Sequence, residues 1–131
     1  MPMEEIGYNC KALSTQVGGN HYKNMKFQPV ELFARTHCTA FQANIWKYIS
    51  RYKAKNGKED IEKCIHYAEL AKEFNCKGHL SAEEVNIIKS FCILNELPEK
   101  IKHIAMLAGF DEYGYVINMC KQILQEEYSV K

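Results

Sequence analysis

The stretch from Thr39 to Phe74, TAFQANIWKYISRYKAKNGKEDIEKCIHYAELAKEF, decides the fold. Phe41, Ile45, Trp46 and Ile49 recur at helical spacing behind Thr39, a suitable N-cap, so a helix is predicted from there to about Tyr52. Asn56-Gly57 interrupts the pattern as a turn. Beyond it, Ile61, Cys64, Ile65 and Ala68 form a second apolar stripe, predicting a helix from about Lys58 to Phe74. Asn56 followed by Glu59 has the form of a capping box for that helix. Two helices with so short a connection lie antiparallel, as a hairpin.

Outward from the hairpin the same signals repeat. On the N-terminal side, Gln28-Pro29 reads as a helix start, with Pro29 in the first turn. Val17-Gly18-Gly19-Asn20 reads as a loop. On the C-terminal side, Ser81 and Glu84 form a capping box for a helix to about Leu94. Leu97-Pro98-Glu99 restarts a helix that stops at Gly109, and a last one runs from about Glu112 to Glu127. No segment alternates with period two over a strand's length, so the fold class is all-α, a small helical bundle built around the hairpin. The expected organisation is a flexible segment over 1–15, a core over 16–77 and a C-terminal helical extension over 78–131.

Of the 131 residues 47% are hydrophobic and 25% charged, enough to bury an ordinary core. No apolar run approaches the ~20 residues of a membrane span. The first residues lack the plan of a signal peptide, so a cytoplasmic protein is expected. Cys10, Cys38, Cys64, Cys76, Cys92 and Cys120 contain no CxxC and no zinc spacing, which favours free thiols. The net charge of +1 is unevenly spread. Residues 1–80 hold 12 Lys/Arg against 8 Asp/Glu, and residues 81–131 hold 5 against 8. A mildly basic half suggests an anionic ligand but falls short of a duplex nucleic-acid binder. No P-loop, HExxH motif, nucleophile elbow or paired Glu-x-x-His is present.

The first hairpin helix carries the candidate chemistry. Asn44, Lys47, Tyr48 and Arg51 stand at i, i+3, i+4 and i+7, on one face. Lys53, Lys55 and Lys58 follow in and after the turn. Arginine grips two phosphate oxygens at once and lysine supplies a point charge, so the stripe suits phosphate. The second helix opens with Glu59-Asp60, with Lys63 and Tyr67 on the face of Asp60. Carboxylates beside phosphates commonly hold Mg²⁺. The plain alternative is a solvated basic face whose first-turn acids complement the helix dipole.

Several of these stretches together resemble a known family. They are Gly18-Gly19-Asn20-His21-Tyr22-Lys23, Phe27-Gln28-Pro29-Val30-Glu31, Asn44 to Lys53, and Lys55-Asn56-Gly57-Lys58-Glu59-Asp60-Ile61-Glu62-Lys63. Over roughly residues 16–74 the chain resembles a short bacteriophage family described as SaV-like or nucleotide-kinase-like. The resemblance implies a helical, oligomeric protein acting on nucleotides in the host cytoplasm. It includes a nucleoside monophosphate kinase without a Walker motif. On that pattern Lys47, Arg51 and Asp60 would be catalytic, and Glu59 and Asp60 would hold Mg²⁺. His21, Tyr22, Gln28, Asn44, Tyr48, Lys55, Lys63 and Tyr67 would bind the substrate, with ATP as phosphoryl donor. Two other functions fit the same residues. One is a non-catalytic protein sequestering a host signalling nucleotide, and the other is a helical interaction protein.

Overall fold

The computed structural model describes residues 11–17, 19 and 21–129. Among them are six α-helices and no strand: α1 (Pro29–Arg35), α2 (Ala40–Arg51), α3 (Lys58–Glu73), α4 (Ala82–Leu94), α5 (Glu99–Gly109) and α6 (Tyr113–Tyr128). The all-α bundle is as the apolar spacing predicts. The residues before Lys11, together with Gly18 and Asn20 of the loop, lie outside the described residues. So does Cys10, whereas Cys38, Cys64, Cys76, Cys92 and Cys120 carry free thiols.

The caps set the helix starts. Thr39 Oγ1 accepts the Gln42 N–H at 3.1 Å, and the Gln42 side chain accepts the Thr39 N–H at 2.9 Å. Ser81 and Glu84 do the same for α4, at 3.1 and 3.0 Å. Each such cap satisfies donors that the first helical turn leaves without partners.

One predicted cap is replaced. The N-cap of α3 is Gly57, at φ +52°, and no side chain caps it. Asn56 and Glu59 therefore form no capping box. Asp60 reaches back instead, accepting the Asn56 N–H at 3.3 Å. Glycine enters that left-handed region without the steric cost of a Cβ, so the turn needs it.

The hairpin is as expected, but it does not stand alone. α3 packs between α2 and α6, and α5 packs on α2, α4 and α6. Ile45, Trp46 and Ile49 of α2 share one core with Ile61, Cys64 and Ala68 of α3. Ile104, Ala108, Val116, Cys120 and Ile123 complete it from the second half of the chain. Each fully buried Ile or Phe contributes roughly 1.5–3 kcal/mol. Trp46, fully buried, donates its indole N–H to the Ala105 carbonyl at 2.9 Å. Gln42, also fully buried, donates to the Ala108 carbonyl at 3.1 Å. The C-terminal helices, expected as an extension, thus build the floor on which the hairpin rests. Among the described residues no helix is long and apolar enough to cross a membrane.

Candidate functional site

The mouth of the hairpin gathers most of the residues singled out by the sequence. Arg51 ends α2, and Asp60 sits in the first turn of α3. The Arg51 Nε donates to Asp60 Oδ2 and Nη2 to Oδ1, both at 3.1 Å, a bidentate pair. Asp60 is 0% exposed and Arg51 only 8%. The third guanidinium nitrogen, Nη1, donates to the Tyr22 hydroxyl at 2.7 Å. Burial opposes the guanidinium charge, but the bonds to Asp60 and Tyr22 outweigh it, and the Arg51 pKa is raised. Arg51 therefore ties the hairpin to the short 3-10 turn Tyr22–Asn24.

Around this anchor the cations and rings converge. The Arg51 Cζ lies 4.7 Å from the centre of the Tyr48 ring. The ammonium groups of Lys47 and Lys63 lie 4.8 and 4.9 Å from that same centre, one reaching from α2 and the other from α3. Tyr48 and Tyr67 stack across the hairpin, 6.0 Å between centres and 11° between planes. Lys55, exposed in the turn, holds its ammonium 5.7 Å from the centre of the Tyr22 ring. Among the described residues, Lys47, Lys55 and Lys63 form no ion pair with a carboxylate. Three cations with no counter-ion among the described residues thus surround one that has it.

An apolar slot of about 320 Å³ opens beside Lys47. Leu13, Val17, Tyr22, Pro29 and Phe33 line it, with Gln28 at its wall. Residues 11–15, expected as part of a flexible lead-in, supply one side of it through the 3-10 turn Lys11–Ser14. Gln28 is buried, and its side-chain amide donates to the Leu13 carbonyl, holding that turn on α1. Nothing periodic in residues 11–17 marks them in the sequence as a wall.

Other expected residues are placed differently. Asn44 turns back on its own helix, donating to the Ala40 carbonyl at 2.8 Å. Glu59 is exposed on the first turn of α3. His21 packs against Tyr22 with ring centres 5.3 Å apart, and its Nε2 is buried with no hydrogen-bond partner among the described residues. Burial, then the positive fields of Lys55 and Arg51, lower the His21 pKa.

The donor set does not fit a Mg²⁺ held by Asp60. Both Asp60 oxygens are already engaged by Arg51 and the Asn56 N–H, in a place without solvent. Glu59 is the one carboxylate of the expected pair left exposed, and a Mg²⁺ there would take the rest of its shell from water and phosphate oxygens. Among the described residues no group of three or more His, Cys, Asp or Glu could hold a metal ion. Asp60 is thus fully engaged as the partner of Arg51 and of the α3 turn.

The cluster lies within a stretch that comparison with known proteins recognises. Residues 17–69 match the family model of a protein of unknown function, DUF3310. That description assigns no activity, and the match spans less than half of the chain. No curated protein and no solved structure matches.

Proposed function

We propose that this chain is a nucleotide-binding protein that places a base in the apolar slot and phosphates on Lys47, Lys55 and Lys63. One observation carries the reading. Three lysines without acidic partners among the described residues are held around two tyrosine rings, beside a cavity of about 320 Å³. Ligand pockets of small molecules are mostly apolar, with a few convergent polar groups, and begin near 300 Å³. The Arg51–Asp60 pair supports the cluster from beneath by fixing Tyr22 and the first turn of α3.

Binding without chemistry is preferred to Mg²⁺-assisted phosphoryl transfer, because both oxygens of the buried Asp60 carboxylate are already engaged by Arg51 and the Asn56 N–H. A phage-borne protein of this kind would sequester a host signalling nucleotide. The test is a thermal-shift screen of nucleoside mono-, di- and triphosphates, with Mg²⁺ and with EDTA. A ligand held by the folded state raises the melting temperature by mass action. Shifts that persist in EDTA support the reading. Incubation with ATP, Mg²⁺ and each nucleoside monophosphate gives unchanged nucleotides on this account, and formation of diphosphate would establish transfer instead.

A further inference from the structure

The turn between α2 and α3, residues 52–57, carries Lys55 and is held partly by its own backbone. The Ala54 and Lys55 N–H groups donate to the Arg51 carbonyl at 2.9 and 3.1 Å, and the Gly57 N–H donates to the Tyr52 carbonyl at 2.8 Å. A second set of contacts reaches the turn from the far end of the chain. α6 packs along α3, which brings its last turn to this place. Tyr52 is buried, and its hydroxyl donates to the Glu127 carboxylate, with both oxygens at 3.2 Å. Burial, then the Glu127 charge, raise the Tyr52 pKa, so the hydroxyl keeps the proton it donates. A Cβ at Gly57 would stand 3.3 Å from the Tyr128 hydroxyl oxygen and 3.5 Å from its Cε1, so that ring covers the glycine.

Glu127 stands where a helix least favours an acid. The C-terminal end of a helix is the negative end of its dipole, and the last turn of α6 holds no basic residue. Its neighbour Glu126 is balanced by Lys100, at 2.7 Å. Among the described residues Glu127 forms no ion pair, and its carboxylate goes to Tyr52. The needs of α6 do not explain that placement, whereas the turn it holds does. Both residues lie outside the stretch 17–69 that the family model matches.

We infer that Glu127 and Tyr128 are positioning residues of the nucleotide site, strapping the basic turn to α6 and so fixing where Lys55 meets phosphate. The inference rests on the nucleotide reading above and adds to it a part supplied by the C-terminal helix.

Calorimetric titration of the full chain with ATP, GTP, CTP and UTP in EDTA tests this, using the best-bound of the four. Tyr52→Phe, which keeps the ring in the core, and Glu127→Ala with Tyr128→Ala should each weaken binding by about three- to tenfold. The loss should not exceed that of Lys55→Ala, whose charge-assisted hydrogen bond is worth roughly tenfold. Glu127→Gln, which still offers Tyr52 an acceptor oxygen, should bind as the native chain does. The effect must pass through Lys55. In a Lys55→Ala background Tyr52→Phe should therefore change affinity by less than about twofold, the margin within which independent sites add, and in a Lys47→Ala background by its full amount. Native affinity in Tyr52→Phe overturns the strap alone. So does a loss that adds in full to that of Lys55→Ala, since it would mark a general loosening of the fold. Absence of binding by the native chain to all four overturns the nucleotide reading and the strap's part in it together.

Discussion

Replacing Asp60 by Asn separates a structural carboxylate from a metal-binding one. The side chain is 0% exposed and accepts three hydrogen bonds, two from Arg51 at 3.1 Å and one from the Asn56 N–H at 3.3 Å. An amide of the same shape keeps one acceptor oxygen and turns an NH₂ towards a donor. The Arg51 charge, 8% exposed, is then left without its counter-ion. Breaking a buried pair in this way costs about 3–5 kcal/mol. A domain of this size has about 5–15 kcal/mol in all, so the loss is a large fraction. Urea denaturation followed by circular dichroism at helical wavelengths reads it directly, with the slope m unchanged if only the native state is affected. A loss below about 1 kcal/mol would refute the argument, since exposed ion pairs are worth no more than that. Loss of Mg²⁺-dependent nucleotide binding with unchanged stability would return Asp60 to the metal.

Further expectations follow from other parts of the fold. Lys47→Ala and Lys63→Ala should each weaken nucleotide binding by roughly tenfold, the worth of a charge-assisted hydrogen bond, and binding should weaken as salt rises, as screening requires; fluorescence titration across a salt series checks both. The Glu84 pKa is held down to about 2 by hydrogen bonds from the Ser81 and His37 backbone, against a usual 4.5. Its share of stability is therefore complete above about pH 4.5 and is lost as pH falls towards 2, and Glu84→Gln should flatten that part of the acid-denaturation curve. Ser81→Ala should cost about 1 kcal/mol by removing the cap of α4, measured by thermal melts. A Cβ at Gly109 would meet the Ile88 Cδ1 at 2.6 Å, so Gly109→Ala should cost about 1–3 kcal/mol through overpacking, read from the same melts.

The helical hairpin was legible because its signals are local. Thr39 and Ser81 advertise their helices within four residues, and apolar spacing marks Ile45, Trp46, Ile61 and Cys64 as core. The convergence of Lys47, Tyr48, Arg51, Lys63 and Tyr67 was also legible, since helical spacing and a short turn dictate it. Burial was harder to read. Two acids open α3, and the sequence does not say that Asp60 turns inward to Arg51 while Glu59 faces solvent. The choice is made by the Gly57 turn, whose left-handed backbone moves the cap one residue from where Asn56 would place it. The slot was not legible at all. It depends on Leu13 being held beside α1 through Gln28, a contact between segments that carry no common period.

The account stands on Lys47, Lys55 and Lys63 acting together as a phosphate cradle that needs no metal. Isothermal titration of a nucleoside triphosphate in EDTA, into the native chain and into a variant with all three lysines changed to Ala, measures this most directly. Saturable binding to the native chain that disappears in the variant, with both proteins equally helical, is the predicted result. Equal affinity for the two proteins, or binding that appears only when Mg²⁺ is added, would contradict it.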